Sequence, residues 1–177
     1  ATTTDVAASA LTGNIAVTGG KDVSSVNDGG TVTISGAAGS VSASTTALAA
    51  NAVSINGGTD VTYAATVATT GVITVGGTKA STGSVSVAKT ITGAGNVTGG
   101  AIGITGGTSV SSATTATNSD KTGTTVTQGA VTVTGTADTA AVSVSQSKTV
   151  SAVANSTETA TVTWQGMSAD GTQSIGG

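Results

Sequence analysis

The 177-residue chain has no cysteine, histidine, arginine, phenylalanine or proline, one tryptophan and one tyrosine. Each absence removes a class of chemistry. Without His or Cys, neither a Ser-His-Asp nor a Cys-His nucleophilic centre can be assembled, and transition-metal ligation is poor. Charged residues make up 7% of the chain, against about 25% in ordinary domains. Five lysines do not supply the basic clusters and stacking aromatics that nucleic-acid binders use. No apolar run approaches the roughly 18 residues of a membrane-spanning helix, and two aromatics cannot form the girdles of a transmembrane barrel. The opening "ATTTDVAASA" lacks the basic and apolar regions of an intact signal peptide.

What is present points to β structure. The chain is 37% hydrophobic with a net charge of −3, unlike the low hydropathy and high charge of disordered segments. Val, Ile and Thr dominate, and branched side chains suit a pleated sheet better than a helix. One phrase recurs: "NIAVTGGKDVSS" from Asn14, "AVSINGGTDVTY" from Ala52 and "AIGITGGTSVSS" from Ala101. A second follows each copy: "GTVTISGAAGSVSAS" from Gly30, "GVITVGGTKASTGSVSVAKT" from Gly71 and "GAVTVTGTADTAAVSVSQSKT" from Gly129. The chain therefore reads as a single repetitive domain over 1–177, with approximate units 14–51, 52–100 and 101–158 and a partial copy over 159–177.

Within each phrase apolar residues alternate with Ser or Thr, as in Ile15/Val17, Val32/Ile34, Val53/Ile55, Ile73/Val75, Ile102/Ile104 and Val131/Val133. Alternation gives strands that bury one face, and Gly-Gly, free to reach φ > 0, turns a corner. Short strand, corner, short strand, corner describes one coil of a β-solenoid. Stacked about 4.8 Å apart, the coils pile like side chains into ladders, so each copy must match the one beneath it. About seven half-units give a rod on the order of 30–40 Å long. The alternative is a β-sandwich, which also has short strands and frequent turns.

The stretches "NAVSINGGTDVTYAATVATTGVITVGGTKASTGSVSVAKT" and "AIGITGGTSVSSATTATNSDKTGTTVTQGAVTVTGTADTAAVSVSQSKT" resemble the Thr/Ala/Gly/Val-rich body of the Caulobacter-type bacterial surface-layer (S-layer) protein and related β-strand-repeat extracellular proteins of the type I-secreted class. The likeness runs over about 14–165. It implies an extracellular, cell-surface protein that folds outside the bacterium and tiles or polymerises. In that family calcium binds at Gly-Gly-x-Gly-x-Asp repeats. Here "GGKD" at Gly19–Asp22 and "GGTD" at Gly57–Asp60 lack the glycine that follows x and its spacing to Asp, and Ser109 stands where the third copy would carry Asp. A hard cation wants six or more oxygens, so Asp22 and Asp28 remain the one pair that a Ca²⁺ ion could use, beside their ordinary reading as solvated turn residues.

Other motifs carry less. "SVAK" at Ser86–Lys89, "SQSK" at Ser145–Lys148 and "KTG" at Lys121–Gly123 mimic the serine β-lactamase triplet. Both Ser-x-x-Lys copies follow a Val-Ser-Val strand, where Ser and Lys share no helix face, and both lysines read as solvated corners. "GAGNVTGG" at Gly93–Gly100 has its third glycine one place late for a dinucleotide loop. The Thr-x-Thr pairs of an ice-binding face occur at Thr31/Thr33, Thr132/Thr134 and Thr161/Thr163, but Ala16, Ser54 and Gly103 interrupt that column.

The functional expectation is a non-enzymatic structural protein that binds copies of itself. End coils of a solenoid expose unpaired backbone, and Trp164 and Met167, the bulky residues near the C-terminal end, are the candidate anchors of a junction between copies, or equally a plug that caps the end of the rod. The alternatives are an adhesin stalk, or a solenoid binding ice or a cell-surface polysaccharide.

Overall fold

The computed structural model describes residues 4–10, 12–46, 51–66, 70–119, 125–150, 158–165 and 172–176. Among them every element is a strand, and every strand pairing is parallel. The strands are β1 Val6–Ala10, β2 Ile15–Thr18, β3 Val23–Asn27, β4 Val32–Ala37, β5 Val41–Thr45, β6 Val53–Gly57, β7 Val61–Ala65 and β8 Ile73–Val75. They continue with β9 Ser84–Gly93, β10 Val97–Thr98, β11 Ile102–Thr105, β12 Ser109–Asn118, β13 Val126–Thr134, β14 Ala141–Val150, β15 Glu158–Gln165 and β16 Thr172–Gly176. One sheet, here sheet A, runs β1-β3-β5-β7-β9-β12-β14-β16. Sheet B takes the strands between them: β2-β4-β6-β8-β11-β13, with β10 and β15 also on β13. The chain alternates between two parallel sheets. That is a β-solenoid; the antiparallel layers of the sandwich alternative do not form.

The columns are the fold's logic. In sheet B, Ile15, Val32, Val53, Ile73, Ile102 and Val131 lie in register, and so do Val17, Ile34, Ile55, Val75, Ile104 and Val133. Sheet A answers with Val6, Val23, Val41, Val61, Val85, Val110 and Val142. These residues make one continuous core. The two phrases of the sequence therefore occupy the same place: each phrase is one complete coil, and the unit 14–51 holds two of them, β2–β3 and β4–β5. The Gly-Gly pairs turn one shared corner, with φ of +82° and +104° at Gly19 and Gly20, +87° and +89° at Gly57 and Gly58, and +85° at both Gly106 and Gly107.

The lone tyrosine is inside. Tyr63 is buried in β7, and its hydroxyl donates to Thr45 Oγ1 at 2.9 Å. Its register neighbour on β5 is Ala43, whose small side chain leaves room for a ring, and the same ladder holds the buried hydroxyls of Ser25 and Ser112.

The solenoid widens along its length. The step from one coil to the next is 17 residues at Val6–Val23, 20 at Val41–Val61, and 32 at Val110–Val142. Strands of sheet A lengthen from five residues in β3 to ten in β9, β12 and β14. The added length encloses a second apolar cluster of Ile91, Val97, Ala116 and Val126. A corner asparagine closes both kinds of coil. In a narrow one Asn27 Nδ2 donates to the Gly13 carbonyl at 2.8 Å, and in a wide one Asn118 Nδ2 donates to the Gly95 carbonyl at 2.7 Å.

A glycine column marks where the old corner becomes a kink in the longer wall. Gly30, Gly71, Gly100 and Gly129 lie so close to the coil below that a Cβ on each would collide with a backbone carbonyl oxygen, that of Gly13, Asn51, Gly71 and Gly100 respectively. Only a residue without a side chain permits this approach.

Candidate functional site

Three places merit a functional reading: the first coil, the outward aspartates and a polar layer inside the rod.

At the first coil, β1 has a strand neighbour on one side, β3. Val6, Ala8 and Ala10 face inward but are only partly buried, whereas Val23, Ser25 and Asn27, one coil on, are buried. Among the described residues no strand lies beyond β1 in sheet A. The charged groups beside this end are Asp5, Asp22 with its partner Lys21, and Asp28, whose amide donates to the Ala10 carbonyl. At the opposite end the backbone of Trp164 lies in β15 beside Val133. Met167, the other expected anchor, lies outside the described residues.

The aspartates serve the corners. Asp22 Oδ1 accepts from the amide and hydroxyl of Ser40 in the next coil, at 2.6 and 2.8 Å. Asp60 Oδ1 does the same for Ser84, at 2.7 Å each. The bond from Lys21 at 3.0 Å, followed by those from Ser40, holds the Asp22 carboxyl down at about 2, and the Ser84 bonds lower Asp60. Both are exposed carboxylates used as caps between coils. Asp28 accepts instead from the Thr46 hydroxyl. Asp22 and Asp28 flank β3 at its two ends, separated by a five-residue strand of about 17 Å, so the structure does not bring the two together. No group of three or more acidic side chains that could hold a metal ion occurs among the described residues.

The interior polar layer was not anticipated, and it corrects one reading. Lys89 is no solvated corner: it is 1% exposed, in β9, with Nζ donating to the Gly100 carbonyl at 2.6 Å. Burial lowers its pKa to about 8. In register with it stand Thr114 on β12 and Gln146 on β14, both buried. Gln146 Nε2 donates to the Gly129 carbonyl at 3.0 Å. Strand parity could have revealed this, since Lys89 has the same parity as Val85 and Val87 in "SVSVAKTITG". Lys148, its supposed equivalent, is exposed and pairs in register with Ala116, two residues further along.

From β3 onward the outer face of sheet A carries a column of hydroxyls, Ser24, Ser42, Thr62, Ser86, Ser111, Ser143 and Ser174, with Ala7 on the β1 rung. On sheet B the corresponding column is broken, as expected, at Ala16 and Gly103. Compared with protein-family models, with curated proteins and with solved structures, the chain gives no match.

Proposed function

We propose that this chain is a structural element of a bacterial cell exterior, non-enzymatic, whose solenoid pairs end to end with further copies in a surface layer or filament. The observation that carries this reading is the first coil. It offers the β1 edge and the partly buried apolar residues Val6, Ala8 and Ala10, features that a second β-coil laid on top would satisfy with backbone hydrogen bonds and burial. An open, head-to-tail contact of this type propagates rather than closes. The resemblance to surface-layer proteins in the Thr/Ala/Gly/Val-rich stretches supports the same reading, as does a chain that supplies neither His nor Cys for chemistry.

The widening from 17 to 32 residues per coil favours a second reading, an adhesin stalk. Its two ends differ, as a spacer joining unlike parts requires, while a homopolymer must bridge the mismatch. Sedimentation velocity and electron microscopy of the purified chain over a hundredfold concentration range separate the two. Filaments or sheets support assembly; monodisperse short rods at every concentration refute it and leave the stalk.

A further inference from the structure

We infer that the polar layer inside the wide coils is a solvent-inaccessible water site, with one ordered water held between Lys89 Nζ, Thr114 Oγ1 and Gln146 Oε1. The three residues occupy consecutive rungs of one sheet A column, about 4.8 Å apart. Lys89 and Gln146 both reach across the coil to the glycine column, to the carbonyls of Gly100 and Gly129. Those glycines are themselves neighbours from one coil to the next, since a Cβ on Gly129 would collide with the Gly100 carbonyl oxygen. The tips of the two long side chains therefore lie on adjacent levels, with the shorter Thr114 on the rung between them.

The unmet hydrogen-bonding capacity matches water rather than an ion. Thr114 Oγ1 and Gln146 Oε1 are buried and have no protein partner. An ammonium carries three donors, and the Gly100 carbonyl takes one of them. Lys89 thus brings spare donors, Gln146 Oε1 brings an acceptor, and a hydroxyl does either. A halide would find the Gln146 oxygen repulsive, and a metal ion would find the ammonium repulsive. A water accepts from Lys89, donates to Gln146 and bonds Thr114, giving the three partners typical of buried waters. In this setting the water solvates a charge that no carboxylate faces among the described residues.

Two measurements on the full chain test the inference. Oxygen-17 relaxation dispersion counts long-lived internal waters. Wild type should show one more than Thr114→Val, and an equal count overturns the proposal. Thermal melting reads the same site by sign. In a hydrated site Thr114→Val removes a water partner and lowers the Tm; in a dry site it removes an unpartnered hydroxyl and raises the Tm, which also overturns the proposal. If Thr114→Val does not fold, Gln146→Met takes its place in the water count, with the same two outcomes.

Discussion

Replacing Lys89 with methionine tests the interior electrostatics quantitatively. The side chain keeps its length and loses its charge. Lys89 titrates at about 8 in the fold against an ordinary 10.5, a gap worth about 3 kcal/mol at 1.36 kcal/mol per pH unit. The folded-state value is depressed, so between pH 8 and 10.5 the unfolded chain binds more protons than the folded one. Stability therefore rises with pH through that window, and the full penalty is present below it. From pH 7 to pH 9.5 the expected gain from this group is about 2 kcal/mol. The window stops short of Tyr63 on β7, the titrating group on the rung below, whose pKa burial raises above 10. In Lys89→Met the rise disappears. At pH 7 the variant recovers the charge penalty but leaves the Gly100 carbonyl without its partner, at a cost of about 1–3 kcal/mol. The net stability change is therefore near zero to about 2 kcal/mol favourable. Urea denaturation followed by circular dichroism at four pH values between 7 and 9.5 is the assay. A wild-type stability flat over that range, or a methionine variant with the same slope, refutes a buried, desolvated lysine.

Three further outcomes are expected. Gly100→Ala places a Cβ against the carbonyl oxygens of Thr70 and Gly71, so the coils must part; a loss of more than about 3 kcal/mol is expected, while Gly103→Ala, with open space around its Cβ, should stay near neutral in the same melts. Ile55→Ala, fully buried in the middle of its column, should lose about 2–5 kcal/mol with the urea m-value unchanged. Asp60→Asn removes a cap whose pKa is lowered by Ser84; the stability it contributes is present above about pH 4 and fades as pH falls through its folded value, so wild type and variant should converge in thermal melts near pH 2 and differ at pH 6.

Much of the fold was legible because a solenoid makes its constraint local. A coil that must match the one beneath it writes the same Ile-x-Ile or Val-x-Val at intervals, and the pairs 15/17, 53/55 and 102/104 do fall in one column. The period was harder to see. Gly-Gly follows those pairs, whereas the corner after Val32/Ile34 is turned with a single positive-φ glycine, Gly36, so two equivalent coils looked like two different phrases. Widening was hidden for a related reason. Sheet A strands double in length while keeping their first three inward positions, so the pattern shared from coil to coil carries no sign of the extra residues of β9, β12 and β14. The candidate site was legible only in part. Asp22 and Asp28 are spaced closely in sequence, but a strand between them separates what a turn would have joined. Lys89 looked solvated by residue type alone, although its parity within β9 placed it inward. The expected anchor Met167 lies outside the described residues.

The register itself is open to direct measurement, because a chain without cysteine takes spin labels only where they are placed. Ser24, Ser86, Ser111 and Ser143 lie on one outward column, three, four and five coils apart from the first. Pulsed electron–electron distances from Ser24→Cys to cysteines at the other three should centre near about 14, 19 and 24 Å, rising by about 4.8 Å per coil. Distances that do not grow linearly with coil number would contradict parallel, in-register windings and with them the whole structural account.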